Sequence, residues 1–400
     1  MAAYATAVPD VLMPSRLRLG VYTDYAYELI DGEVYAERAF ALFLARLRSE
    51  FAGLTVIGRI RPVSEGKARY PLGTGVAVLP LPFYASLANP LRTLGPLARS
   101  LRVFWRGLDE LDAVWLLGPH PLAIAFALMA LARRKRVVLG VRQDLPAYAK
   151  SRHPGRPAMA AIARVLEIAF RLLGRFCGVV VVGPDLAANY RGSREVCEIF
   201  VSLIGTDAIA TAREAATRDY EGQLTMLSVG RLDTEKNPLL MIDVLELLEA
   251  RDPGRWRLRI CGEGPAEEEL RVRVAASGLE ERCELLGYLS WGDELDAEYG
   301  RAHALLHISK TEGFPQVLIE AFAAGLPVVA TAVGGISGAV GDAALLIEPD
   351  NPEAAVDAMA EIASNPDRRE ALTNAGRDFV SGHTLDAEAE RVASFIGGGS

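Results

Sequence analysis

Short apolar runs recur along the chain, each closed by Gly, Pro or Asp and followed by a longer stretch with helical periodicity. In the first half the runs at 16–23, 54–60, 76–81, 113–117, 136–141 and 179–182 predict strands, and Leu17, Leu19 and Val21 alternate in the first of them. The continuous β-branched run 179–182 predicts a strand buried on both faces. Helices are predicted over 34–49, 89–108, 124–133, 157–173 and 184–190, with a polar loop over 24–33. In the second half the predicted strands are 224–229, 258–261, 304–308, 327–331 and 344–347. They alternate with helices over 239–250, 317–324, 351–363, 366–380 and 385–396. Strand–helix alternation of this kind predicts α/β architecture with parallel, doubly wound sheets, whose ligands bind beyond the carboxyl ends of the strands. The expected division is a first Rossmann-like domain over 1–205, a second over 206–382, and a crossover helix with a flexible tail over 383–400. Residues up to about 14 read as a lead-in.

Composition agrees with two domains: 400 residues, half of them hydrophobic, exceed one ordinary core. No uninterrupted run of about 18 apolar residues predicts a membrane span, and no basic-then-apolar leader opens the chain. Cys177, Cys197, Cys261 and Cys283 are scattered without a CxxC pair, as expected of buried thiols in a reducing cytoplasm. Charge is divided unevenly. Residues 1–200 hold 26 Lys and Arg against 16 Asp and Glu, and residues 201–400 hold 17 against 35. A basic first half suits an anionic partner, either an acceptor on a lipid phosphate or the inner face of a membrane, or else reflects compositional drift on solvated faces. Arg59, Arg61, Lys67 and Arg69 contribute from a loop, and Arg92, Arg99, Arg102 and Arg106 from an amphipathic helix that suits either a membrane surface or an ordinary core-facing position. No nucleic-acid partner is expected.

The chain is organised around 307–331. Here a strand leads to the loop Thr311–Glu312–Gly313–Phe314, then to Pro315 at the expected first helical position, a helix containing Glu320, Gly325 and a further strand. A helix start offers free N–H groups and a positive dipole end, and Gly313 permits close approach to the backbone. Amides there suit a phosphate, and the two carboxylates suit hydroxyls. A second loop follows the strand 224–229: Gly230–Arg231–Leu232–Asp233–Thr234–Glu235–Lys236–Asn237. Its Arg fork and Lys point charge are the pair wanted for a diphosphate. In the first half His120, between Pro119 and Pro121, and Arg142 and Asp144 lie just past strand ends. His120 is either a hydrogen-bond donor to substrate or a loop cap; Arg142 meets an acceptor phosphate or pairs with Asp144.

Glu312 and Glu320, seven residues between them, with GFP after the first and AGLPVVAT following, resemble the EX7E motif of the retaining, nucleotide-sugar-dependent family 4 glycosyltransferases. GR-x3-KN resembles that family's donor-phosphate site. The resemblance covers 224–380 closely and the first half weakly. It implies the GT-B fold, two Rossmann-like domains facing a cleft, and retaining, metal-independent transfer of a sugar from a nucleotide diphosphate sugar to a carbohydrate, lipid-linked or small-molecule hydroxyl in polysaccharide, glycolipid or glycoconjugate synthesis. By resemblance, Arg231 and Lys236 stabilise the departing diphosphate, Glu312 holds sugar hydroxyls and Glu320 the ribose. His120 sits by the reacting centre. Gly262, Tyr288 and Leu289 flank the nucleobase, and Gly313, Phe314, Pro315 and Gln316 complete the donor site. Gly32 stands where the family carries a Gly-rich loop with adjacent glycines; here only Asp31–Gly32 is present. Arg142 and Asp144 are the acceptor-side candidates. Ile336–Ser337–Gly338 replaces a Pro–Glu pair that usually follows the double glycine.

No cofactor is expected beyond the donor, and no Asp-x-Asp occurs to bridge a metal. A nucleotide-sugar epimerase of the same fold and a degenerate, non-catalytic binding partner are the alternatives. Retention of Arg231, Lys236, Glu312 and Glu320 speaks against the second.

Overall fold

The computed structural model describes residues 15–62, 70–85, 90–152 and 155–398. The lead-in, Lys67, Arg69, the side chain of Arg92 and the last two residues lie outside that description.

Two parallel sheets carry the fold. The first contains β1 (Ser15–Ile30), β2 (Glu33–Ala36), β3 (Phe51–Ile60), β4 (Tyr70–Pro71), β5 (Val76–Leu81), β6 (Ala113–Gly118), β7 (Arg136–Val141), β8 (Gly178–Val182) and β9 (Glu195–Ile199). Its main body runs β5-β3-β1-β6-β7-β8-β9, with every pair parallel. The second contains β10 (Leu224–Val229), β11 (Trp256–Cys261), β12 (Cys283–Gly287), β13 (Ala304–His307), β14 (Val328–Thr331) and β15 (Ala344–Ile347), ordered β12-β11-β10-β13-β14-β15. In both sheets the order reverses beside the first strand, between β1 and β6 and between β10 and β13. These are the switch points where doubly wound sheets open a crevice.

One expected element is corrected. The polar loop over 24–33 and the helix from 34 are instead a continuation of β1, a two-residue turn and β2. Asp31 and Gly32 both take positive φ, 51° and 86°, joining Ile30 to Glu33 in an Asp-Gly hairpin. Tyr27 and Glu28 are buried in this extension, and Arg61 pairs with Glu28 at 2.9 Å, so the apparent polarity of the segment is neutralised inside the fold. The helix begins only at Phe40 (Phe40–Leu47). Gly32 is therefore an exposed hairpin tip, outside the residues that line the cleft.

Helices Pro90–Gly107, Pro121–Ala132 and Pro157–Gly174 cover one face of the first sheet through Phe104, Phe126 and Phe170. The last helix, Leu385–Gly397, packs back onto the first domain, as expected of a crossover. Asp386 pairs with Arg46, and Arg136 donates to the Phe395 carbonyl at 2.7 Å. A T-shaped contact of Phe200 with Phe314 (4.6 Å between centroids), with Phe379 and His383 packed around it, joins the two domains at the crossover.

Candidate active site

The domains enclose a cleft of about 650 Å³. Tyr25, Arg38, Phe40, Arg142, Tyr148 and Arg152 line it from the first domain; Arg231, Lys236, Tyr288, Phe314 and Gln316 line it from the second. The second-domain wall is built at the switch point. Loops leaving β10 and β13 face each other there, so Lys236 from one meets Glu312 from the other, and Arg231 borders the same small cavity.

The Lys236 ammonium donates to Glu312 Oε1, and His307 Nε2 lies 3.0 Å from the same oxygen. Burial acts to raise the Glu312 pKa. The hydrogen bond from His307 and the charge and hydrogen bond of Lys236 outweigh it, holding the carboxyl down at about 2. Arg231 spans two buried carboxylates, pairing through one nitrogen with Asp233 and through the other with Glu235 at 2.9 Å. Arg152 of the first domain reaches the same pair at 3.4 and 3.5 Å.

Pro315 is the N-cap, in an extended conformation (φ −79°, ψ 127°), and the helix Gln316–Ala323 starts one position later than expected, so Gln316 opens it at the cleft wall. Glu320 lies within that helix. It accepts from the Tyr299 hydroxyl at 2.6 Å, and burial raises its pKa to about 7, with Tyr299 opposing and Asp296 adding to the rise. The two motif carboxylates therefore differ in chemistry: Glu312 is held as an anion by the Lys236 ammonium and the His307 ring, while Glu320 shares a part-buried hydrogen bond with a phenol.

Several glycines of the motif loops are required by backbone approach. A Cβ on Gly262 would fall 1.8 Å from the Gly230 carbonyl oxygen, so the ends of β10 and β11 touch there. A Cβ on Gly334 would fall 2.0 Å from the Glu312 carbonyl oxygen, so the double glycine braces the Glu312 loop from beneath. Ile336–Ser337–Gly338 lies within the short helix Gly335–Ala339; a Cβ on Gly338 would lie 2.9 Å from Pro184 of the first domain, making this turn a domain contact. Tyr288 hydrogen-bonds Tyr70 across the cleft at 2.8 Å with its ring partly exposed, and Leu289 packs against the core beside it.

On the first-domain side His120 is the N-cap of the helix Pro121–Ala132. Its Nδ1 accepts from the Leu122 amide at 3.2 Å and lies 2.9 Å from the Tyr22 hydroxyl. Its proton is thereby placed on Nε2, 3.3 Å from Asp24, and burial lowers its pKa. Gly118, two residues earlier, lines the cleft; His120 is not among the lining residues. Asp144 likewise caps a helix, accepting from the Ala147 amide at 2.8 Å, and borders a small cavity shared with Lys236 and Glu312. It does not pair with Arg142. The Arg142 guanidinium lies 5.2 Å from the Tyr25 ring centre and 5.1 Å from that of Phe40, and among the described residues no carboxylate pairs with it.

Residues 211–379 match the family described as glycosyl transferases group 1. That match spans the second sheet and the helices around it. The chain is 35% identical over 143 residues to mannosylfructose-phosphate synthase of Agrobacterium fabrum, covering 34% of this chain and 31% of that protein. It is 38% identical over 174 residues to D-inositol 3-phosphate glycosyltransferase of Corynebacterium efficiens, covering 42% and 41%. The chain thus matches less than half the length of these curated relatives. Among solved structures, sucrose-phosphate synthase from Thermosynechococcus elongatus superposes with a TM-score of 0.70 at 16% identity, covering 95% of this chain and 98% of that one. Anabaena HepE in complex with UDP superposes with a TM-score of 0.68 at 15% identity, covering 95% and 99%. The fold of the whole chain is GT-B.

Sequence reasoning gave no role to His307, Tyr299, Arg152, Tyr148, Arg38 or Phe40. His307 alone carried a local signal, five residues before Glu312 at the end of a strand.

Proposed function

We propose that this chain is a retaining glycosyltransferase that moves a sugar from a nucleotide diphosphate sugar to a hydroxyl acceptor without a metal. The observation that carries the reading is the meeting of Arg231, Lys236 and Glu312 with the start of the Gln316–Ala323 helix at one switch point. As the glycosidic bond to the diphosphate breaks, negative charge grows on the leaving phosphate. A guanidinium, an ammonium and free helix-start amides provide fixed positive potential at that place, which is how electrostatic catalysis lowers a barrier. Glu312 stays ionised and accepts hydrogen bonds from sugar hydroxyls, sharing Lys236 with the phosphate. Glu320 accepts from the ribose. Glu312 and Glu320 sit on one loop–helix unit, unlike the flanking acids of glycosidases, which disfavours a covalent glycosyl-enzyme; the retained configuration is part of the proposal and rests on the EX7E resemblance. His120 serves the reacting centre only if Asp24 or Tyr22 releases it.

Arg142 supports an anionic acceptor. A guanidinium beside two rings, and with no carboxylate partner among the described residues, faces the cleft opposite the donor wall, suited to a phosphate. The relatives named for phosphorylated sugars and polyols agree with that choice. A cytoplasmic setting fits both the reduced thiols and the donor class. The test is proton NMR of the product formed from a UDP- or GDP-sugar and a panel of phosphorylated acceptors. An α-linked product from an α-linked donor supports retention, and donor conversion without acceptor would favour an epimerase.

A further inference from the structure

Helix Pro157–Gly174 carries only three charged residues in its 18, Arg164, Glu167 and Arg171. Its inward face, Ala163, Glu167, Phe170, Leu173 and Gly174, is buried against the first domain. A helix with one buried face ordinarily turns a polar face to water, and one apolar all round is ordinarily enclosed. This helix does neither. Its outer face exposes Met159 (40%), Ile162 (56%), Val165 (64%), Ile168 (52%) and Leu172 (48%), and Phe176 (68%) follows just beyond its end. Leu128 and Trp105, on the other two helices of the same layer, are exposed as well. Single exposed apolar side chains are commonplace, whereas a contiguous patch of this kind marks a surface that another phase or molecule covers.

The charges on this face select the occupant. Arg156, Arg164, Arg171 and Arg175 frame the apolar row, and the one carboxylate in the segment, Glu167, is buried and paired with Arg171 at 2.9 Å. Arg99, Arg102 and Arg106 stand exposed on helix Pro90–Gly107, which packs on the far side of Pro121–Ala132 in the same layer. A second copy docked through the same face would bring these arginines against their own images with no acidic residue of the segment to meet them. A leaflet of anionic lipid accepts both features, taking the apolar row into the acyl boundary and the guanidiniums at the headgroup phosphates.

We infer that the outer face of helix Pro157–Gly174 seats the first domain on an anionic membrane surface, with Ile162, Val165, Leu172 and Phe176 entering the interface and Arg164 and Arg175 at the headgroups. The preceding helix Leu145–Arg152 supplies Tyr148 and Arg152 to the cleft, so the seated helix adjoins the acceptor wall.

The test is sedimentation of the full chain with phosphatidylcholine vesicles, with and without about 30% phosphatidylglycerol, at low and high salt. The wild type is expected to bind the anionic vesicles at least about tenfold more strongly than the neutral ones, and to lose binding as salt rises. Ile162→Asp with Val165→Asp removes binding; both side chains are exposed, so the melting temperature is unchanged. Arg164→Ala with Arg175→Ala weakens binding to anionic vesicles and leaves the residual neutral binding as it was. The inference is overturned if the wild type ignores anionic vesicles, or if the aspartate variant binds as the wild type does. It is equally overturned if the wild type sediments as a dimer that the aspartate variant dissolves while neither binds lipid.

Discussion

A Cβ on Gly313 would lie 2.3 Å from the carbonyl oxygen of Arg142, so the loop carrying Glu312 meets the first domain through bare backbone. This contact fixes how near the two walls of the cleft approach. Gly313→Ala must push the loops apart, because the obstructing atom is a carbonyl and not the end of a flexible side chain. The variant is expected to bind nucleotide with nearly unchanged affinity, since Arg231 and Lys236 belong to the same domain, while turnover falls by about tenfold to a hundredfold through misplacement of the acceptor wall. Small-angle scattering should register a larger radius of gyration. Unchanged turnover would show that the approach does not matter for transfer.

Removing Lys236 leaves a buried carboxylate with His307 as its remaining partner. Lys236→Met is expected to cost about 3 kcal/mol in chemical denaturation, the usual penalty for breaking one side of a buried pair. Combining it with Glu312→Gln should recover most of that loss. If the double variant is as unstable as the sum of the singles, the two groups are not coupled.

Protonation separates the two motif carboxylates. Glu320 binds its proton more tightly in the folded chain than at its ordinary value of 4.5. Its contribution is complete below pH 4.5 and is lost as pH rises through about 7. Glu320→Gln should therefore flatten the stability profile in that window, by up to about 3 kcal/mol. Glu312 is displaced the other way: its contribution is present above its ordinary value of 4.5 and is lost as pH falls towards 2. Glu312→Gln should change the profile only on that acid side. Urea melts of both variants across pH check the two windows together.

Much of the second domain was legible because its chemistry is local. Gly230 to Asn237 and Glu312 to Glu320 each form one strand–loop–helix unit, so residue types and spacing predict the wall they build. The contacts that close the cleft were not legible. Arg152 meets Asp233 from 81 residues away, and Tyr70 meets Tyr288 from 218, and no local pattern encodes such pairings. The β1–β2 hairpin was hidden for another reason. Asp24, Glu28, Asp31 and Glu33 make the segment look like a loop, whereas burial of Glu28 against Arg61 and the Asp31–Gly32 turn allow it to be sheet. His120 stood between cap and substrate ligand in the sequence, and its Nδ1 is engaged as the cap.

Arg142 is expected to govern the acceptor alone. Arg142→Gln should raise the KM for a phosphorylated acceptor by about tenfold to a hundredfold, as expected for loss of a charge-assisted contact, with little change in the KM for the donor. An equal rise in both would place the guanidinium on the donor diphosphate.

The central claim is that Arg231 and Lys236 hold a nucleoside diphosphate without a metal, and thermal denaturation with UDP, GDP, ADP and TDP, each with EDTA and then with Mg²⁺, tests it most directly. A ligand at about 100 times its dissociation constant adds about 2.7 kcal/mol to stability, which moves the melting temperature by several degrees. One nucleotide is expected to raise the transition equally in EDTA and in Mg²⁺, and Arg231→Ala with Lys236→Ala to abolish the shift. A shift that requires Mg²⁺, or one that survives the double substitution, would contradict it.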